Sequence, residues 1–325
     1  MIEVRGLTKR FGSKTAVDDL SFSVEPGRVT GFLGPNGAGK STTMRLILGL
    51  DRQQSGTATI DGRRYEELRD PLRTVGALLE AKSMHSGRSA RNHLLFLAQT
   101  QGLPASRVDE MLALVGLHEV ARKRAGGFSL GMSQRLGIAA ALLGDPRVLL
   151  LDEPVNGLDP EGVLWIRNLM KHLASQGRTI LVSSHLMNEM AVTADHLIVI
   201  GRGRLIADSS TSEVIARGTE KSVRVRTPEP ARLTDLITAA GGKVAQGGAV
   251  VPGEAAAADG AGLLTVTELE APRIGELAAS ASIVLHELTP QLASLEEAFM
   301  ELTSGSLEFG VHGQDPASTW KEGAL

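Results

Sequence analysis

The sequence predicts an α/β fold built on a parallel sheet, followed by a smaller α+β module. Three observations carry that expectation. The runs Val29–Leu33 (VTGFL), Val148–Leu151 (VLLL) and Thr179–Val182 (TILV) are short and apolar throughout, as strands covered on both faces are. A segment of helical character separates the second from the third, and strands alternating with helices imply parallel pairing. The first run ends in the glycine-rich GPNGAGK, with helical apolar spacing directly behind it.

In chain order, Ile2 to about Val24 reads as short strands separated by turns, and VTGFL as a buried strand. After the glycine-rich loop, Met44, Leu46, Ile47, Leu48 and Leu50 give STTMRLILGL its helical face. VLLL and TILV flank a helix over about 161–176, and this part of the chain extends to about residue 215. Beyond Arg217 the pattern changes. Ser222–Thr227 (SVRVRT) alternates like a half-exposed strand, and Ala231–Ala240 suits a helix. Val244 with Val250 and Val251, and then Leu263–Thr267, predict two strands across a Gly/Ala-rich loop. Pro272–Ser280 predicts a second helix, and Ile283–Leu288 a last strand. This β-α-β-β-α-β order is that of a ferredoxin-like module. Leu292, Leu295, Phe299 and Leu302 then share a helix face, with Glu296, Glu297 and Glu301 off it. The expected organisation is a domain over 1–215, a module over 216–303 and a disordered tail over 304–325. A chain of 325 residues readily holds two domains.

Composition excludes several classes of function. With no cysteine there is no disulfide framework, thiolate zinc site or thiol nucleophile. A net charge of −3 leaves no basic footprint, so no nucleic-acid partner is expected. The apolar stretch Leu136–Gly144 is far short of the ~20 residues of a membrane-spanning helix. The N-terminus MIEVRGLTKRFG carries early charges and no apolar run, unlike a secretory signal, so a cytoplasmic protein is expected.

Gly34-Pro35-Asn36-Gly37-Ala38-Gly39-Lys40-Ser41 matches G-x-x-x-x-G-K-[ST] between a strand and a helix, the context that a phosphate-binding P-loop requires. Its glycines let successive backbone N–H groups turn inward around phosphate oxygens, and the following helix adds the positive end of its dipole. Lys40 is placed to reach the β- and γ-phosphates, and Ser41 to hold Mg²⁺. Asp152 and Glu153 follow VLLL at the carboxyl end of a parallel strand, where such sheets bind ligands. Asp152 is expected to anchor the metal and Glu153 to polarise the attacking water.

Three further stretches carry a family resemblance. FSLGMSQRLGIAAALL, containing Ser129 to Gln134, resembles the signature motif of ABC transporter ATPases, whose consensus is LSGGQ. Asn156-Gly157-Leu158-Asp159 looks like that family's D-loop, and His185 stands where the family has its switch histidine. Phe11 falls where an aromatic side chain stacks on adenine, although it reads nearly as well as a core phenylalanine. The resemblance spans about residues 2–210. It implies a P-loop NTPase fold of the ABC ATPase type with a helical signature subdomain, and ATP with Mg²⁺ as ligands. The implied nucleotide contacts are Phe11, Gly34 to Thr42, Ser129, Gly131 and Asp159. Lys40, Glu153 and His185 are the implied catalytic residues, and Ser41, Asp152 and Glu80 the metal residues. Ser129 is at the same time an ordinary helix N-cap.

The sequence departs from the family pattern at Leu130 and Met132 in the signature, and at Glu80 where most members have glutamine. Both departures resemble the antibiotic exporters for bacitracin and lantibiotic self-protection. The C-terminal module is similar to the extension on such ATPases and on daunorubicin-type resistance ATPases. The implied function is ATP hydrolysis driving a separate integral-membrane permease in antibiotic, drug or peptide efflux. The ATPase subunits would pair as a homodimer or close heterodimer, peripheral on the inner face of the membrane. The alternative is a soluble ATP-driven switch acting on ribosomes or DNA. A single P-loop, and no long coiled coil between the motifs, set this chain apart from those relatives.

Overall fold

The computed structural model describes residues 1–80, 84–217, 222–246, 262–291 and 295–303. Two compact units emerge, one built on Met1–Ser210 and the other on Thr211–Glu301.

In the first unit the opening strands are long rather than short: β1 (Ile2–Phe11) and β2 (Lys14–Val24) form an antiparallel ribbon with several register shifts. Alternating burial keeps them extended, with Ile2, Val4 and Leu7 facing the core. β3 (Val29–Leu33) leads through the glycine-rich loop into α1 (Lys40–Ile47), and β4 (Ser55–Ile60) returns to the free side of β1. After the single-turn α2 (Pro71–Thr74) comes β5 (Val75–Leu78). A helical region follows: α3 (Ala90–Thr100), α4 (Ala105–Leu114) and α5 (Leu130–Leu142). β6 (Val148–Asp152), α6 (Pro160–Ser175), β7 (Thr179–Ser183), α7 (Met187–Thr193), β8 (His196–Gly201) and β9 (Arg204–Ser210) complete the unit.

The main sheet has the order β5-β6-β7-β3-β8-β9, parallel except for the antiparallel β8–β9 edge. The smaller sheet is β2-β1-β4, and its buried side chains share a core with α1 and with Phe32, Leu150, Leu181 and Ile198 of the main sheet. β3, β6 and β7 are buried at every position, which is what their unbroken apolar runs require. Their carboxyl ends lie side by side, and the candidate site is there.

The second unit begins with α8 (Thr211–Arg217) and continues through β10 (Ser222–Arg226), α9 (Pro230–Ala239), β11 (Lys243–Gln246), β12 (Leu263–Thr267), α10 (Ala271–Ser280) and β13 (Glu287–Gln291) to α11 (Leu295–Thr303). Its antiparallel sheet runs β11-β12-β10-β13 over a core of Val223, Val225, Leu264 and Val266 with Leu233, Ile237 and Ile274 from the helices. The expected last strand, Ile283–Leu288, is displaced toward the C-terminus. Ile283 instead closes α10: its N–H bonds to Ala278 O at 2.9 Å, behind Ser282 at φ 54°, and its side chain is buried in the core. Val250, Val251, Leu292 and the expected tail lie outside the described residues. Among those described, no helix is long and apolar enough to cross a membrane.

Candidate active site

The loop between β3 and α1 is shaped by glycine where no other residue fits. Gly39, at φ 107°, caps α1, and a Cβ there would stand 2.4 Å from Ala16 O. Behind it, Thr43 closes the first turn by donating its hydroxyl to Gly39 O at 2.9 Å. Lys40 folds back over the loop, its Nζ donating to Gly34 O at 2.6 Å and Pro35 O at 3.3 Å. Burial lowers the pKa of this ammonium, opposed by the nearby Glu153 and Asp152 carboxylates. A buried cation held by two carbonyls beside a helix N-terminus is ready for a stronger acceptor, and phosphate oxygens are such acceptors. Ser41 is exposed and Thr42 half-buried behind it, while Asn36 and Gly37 form the open rim of the loop.

At the end of β6, Asp152 is buried and accepts a hydrogen bond from the Ser183 hydroxyl of neighbouring β7. The same hydroxyl accepts the Glu153 N–H at 3.0 Å. Glu153 has φ 49°, the left-handed region, in which a non-glycine residue is held at a cost of roughly 1–3 kcal/mol. That backbone turn aims its carboxylate at His185, with 2.7 Å between Oε2 and Nδ1 and a longer bond of 3.4 Å from the His185 N–H. The Glu153 side chain is 22% exposed and the His185 ring 50%, so both remain open to solvent or ligand. Pinning Nδ1 leaves Nε2 of the ring for a second partner.

Ser41, Asp152 and Glu80 line a common cleft of about 600 Å³, together with Arg45, Tyr65 and Gln101. The Ser41 hydroxyl and the two carboxylates are oxygen donors of the kind a hard cation takes, while the Arg45 guanidinium is occupied by Asp51. Among the described residues, no three His, Cys, Asp or Glu side chains form a metal cluster. Mg²⁺ ordinarily binds through one or two carboxylates plus substrate phosphates, so one hydroxyl and two carboxylates beside a phosphate loop fit it.

The signature segment forms the start of α5. Ser129 is its N-cap, the hydroxyl accepting Met132 N–H at 3.2 Å. Gly131 has no room for a side chain, because a Cβ would lie 2.7 Å from Gly157 O. Leu130, where the resemblance expects glycine, lies against Gly157. Asp159 caps α6 through Gly162 N–H at 3.0 Å and stands 3.8 Å from Arg135. Deeper along α5, Gln134 is 2% exposed and donates its side-chain N–H to Glu153 O at 2.9 Å. Phe11 is 51% exposed, with Lys9 Nζ 4.8 Å from its ring centroid, so it is no core phenylalanine.

The structure thus gathers Lys40, Asp152, Glu153 and His185 at the strand ends, and packs the signature start against the D-loop turn. Two neighbours of Glu153 escaped the sequence reading. The in-register pairing of Asp152 with Ser183 shows why Ser183 belongs there, a pairing the VLLLD and TILVS runs allow. Gln134 sits between Ser133 and Arg135, so nothing in the local sequence marks it as the buried amide that needs a partner.

A family profile described as "ABC transporter" matches residues 17–156, and a domain of unknown function (DUF8746) matches residues 221–296. The chain is 33% identical over 320 residues to the uncharacterized ABC transporter ATP-binding protein YhcH of Bacillus subtilis, covering 96% of this chain and 99% of that one. It is 42% identical over 211 residues to the bacitracin transport ATP-binding protein BcrA of Bacillus licheniformis, covering 64% of this chain and 69% of that one. Its fold is similar to a solved dimeric bacterial ABC transporter cassette, with a TM-score of 0.60 at 25% identity, covering 65% of this chain and 99% of that one.

Proposed function

The chain belongs to the family of ABC transporter ATP-binding proteins, and from that premise we propose that it hydrolyses ATP to drive a separate integral-membrane permease in antibiotic, drug or peptide efflux. The observation that carries the hydrolytic part is the Asp152–Ser183–Glu153–His185 chain set beside the buried Lys40 ammonium. The cargo class rests on likeness to a bacitracin transport protein. On this reading, Lys40 exchanges its two loop carbonyls for β- and γ-phosphate oxygens, and the loop N–H groups cradle the same phosphates. Glu153 orients and polarises the attacking water, and His185, as an imidazolium in which both ring nitrogens donate, holds that carboxylate by Nδ1–H while Nε2–H turns to the γ-phosphate. Ser41, Asp152 and Glu80 would hold Mg²⁺, which would supply charge neutralisation at the phosphates. Positioning and preorganised donors suffice, without a covalent intermediate.

Ser129 and Gly131 at the start of α5, with Asp159, serve the nucleotide of a second copy in a head-to-tail homodimer or close heterodimer. The dimeric cassette of similar fold supports this. The protein then sits on the inner face of the membrane through its permease. The domain expected to end at about residue 215 gives way within α8, a few residues after the unit built on Met1–Ser210. The module that follows to residue 303 is ferredoxin-like, a reading supported by its strand order β11-β12-β10-β13. Purification of tagged chain from solubilised membranes tests the assignment. A membrane protein recovered in fixed ratio, which stimulates ATP hydrolysis when reconstituted, is expected; recovery on ribosomes instead would contradict it.

Two variants test individual roles. An aromatic platform contributes roughly 1–3 kcal/mol to holding a base, so Phe11→Ala should weaken ATP binding by about 5- to 150-fold. Turnover at saturating ATP should persist; unchanged affinity would remove Phe11 from the site. Glu80 offers a carboxylate where relatives of the resembled family offer an amide, which binds a hard cation more strongly but adds repulsion against phosphate. Glu80→Gln is expected to keep most ATPase activity and alter its Mg²⁺ dependence. Glu80→Ala should uncouple hydrolysis from export. Wild-type Mg²⁺ dependence and transport in both, measured in vesicles with the permease, would show Glu80 to be a bystander.

A further inference from the structure

We infer that Gln134 and Ser183 clamp the Glu153 peptide between them and are positioning residues for hydrolysis. The inference rests on the reading of Glu153 as the group that polarises water. The observation is that both polar groups of this one residue's backbone are taken by buried side chains from different elements. Its N–H goes to Ser183 Oγ of β7 at 3.0 Å, and its carbonyl accepts Gln134 Nε2 of α5 at 2.9 Å. Gln134 is 2% exposed and Ser183 fully buried, so both bonds are made from the protein side by groups shielded from water. The residue they grip is in the left-handed region at φ 49°, a conformation that a glutamate keeps only when its surroundings impose it. Were the peptide to relax toward an ordinary strand end, the carboxylate would leave its 2.7 Å contact with His185 Nδ1. Ser183 also donates to Asp152, so one hydroxyl ties the Asp152 carboxylate to the Glu153 backbone. Gln134 lies on the helix whose first turn carries Ser129 and Gly131, and Gly131 meets Gly157 at the D-loop turn. The aim of Glu153 therefore depends on where α5 lies.

The test is non-additivity. Gln134→Met keeps length and volume but has no donor to offer. It is expected to lower kcat per nucleotide-binding site by roughly 10- to 100-fold, as leaving one buried acceptor unpaired does. The KM for ATP should stay within about threefold, because only the hydrolytic group is displaced. Combined with Glu153→Gln, it should add no further loss, since it acts through Glu153 alone. A merely structural role would lower the number of binding-competent sites, or multiply the loss in the double variant, and either result overturns the clamp. If Gln134→Met yields no chain that binds ATP, Ser183→Ala takes its place with the same loss of kcat. Because this hydroxyl also holds Asp152, a further loss beside Glu153→Gln and a shift in Mg²⁺ dependence are expected there, and unchanged turnover overturns the clamp. Full turnover of the clamp variants beside an inactive Glu153→Gln would overturn the clamp alone. Wild-type turnover of Glu153→Gln would overturn the reading of Glu153 and the clamp with it.

Discussion

A Glu153→Gln chain is expected to bind ATP and to lose turnover by roughly 10²–10⁴-fold, the range for removal of a general base. The substitution is nearly isosteric and leaves intact the two bonds that fix the residue, because Ser183 and Gln134 hold its backbone N–H and C=O rather than its side chain. The amide oxygen can still accept from His185 Nδ1, now 2.7 Å from Oε2. What disappears is the capacity to take a proton from water. Lys40 keeps the loop carbonyl bonds that set its position and loses only part of the opposing negative field. Affinity should therefore change little, and the ATP-bound closed dimer should accumulate. Equilibrium binding beside single-turnover hydrolysis separates the two effects. Unchanged turnover would move the base to another residue.

The second large effect concerns division of the site between two copies. Lys40→Ala removes the buried cation from the phosphate loop, and Ser129→Arg places a bulky charge at the N-terminus of α5, where the hydroxyl now caps Met132 N–H. Loss of one preorganised group at a phosphate costs about 10²–10³-fold, so each variant alone should be nearly inactive. Replacing an N-cap costs only about 1 kcal/mol of stability, so inactivity of folded Ser129→Arg reports the nucleotide contact rather than the cap. Mixing the two inactive chains should restore turnover, because a mixed dimer has one site with both Lys40 and Ser129 intact. Normal hydrolysis by either variant alone, or no recovery on mixing, would contradict a shared site.

What was legible in the sequence is what depends on residues close together in the chain. The glycine-rich loop shows itself because Gly39 must take φ 107° and is followed at once by Lys40 and Ser41. The strands β3, β6 and β7 are visible because burial on both faces leaves no polar position. Asp152 and Glu153 are visible as charges directly after such a run. The pattern reads less well where a partner comes from another element. Gly131 can be seen in the sequence, but the Gly157 carbonyl that forbids it a side chain cannot. The contacts of Gln134 and Ser183 with Glu153 arise from helix packing and strand register, and no local spacing encodes them. Ile283 misled for the opposite reason. It is apolar and buried as a strand residue would be, yet it serves the end of α10.

The most direct measurement is the mass and nucleotide content of the Glu153→Gln chain in Mg²⁺ and ATP, by light scattering on a sizing column with ATP counted in the peak. The account predicts a dimer carrying two ATP molecules that reverts to monomer when Lys40→Ala is added. A monomer that binds ATP at full occupancy, or a dimer that forms equally well without nucleotide, would contradict it.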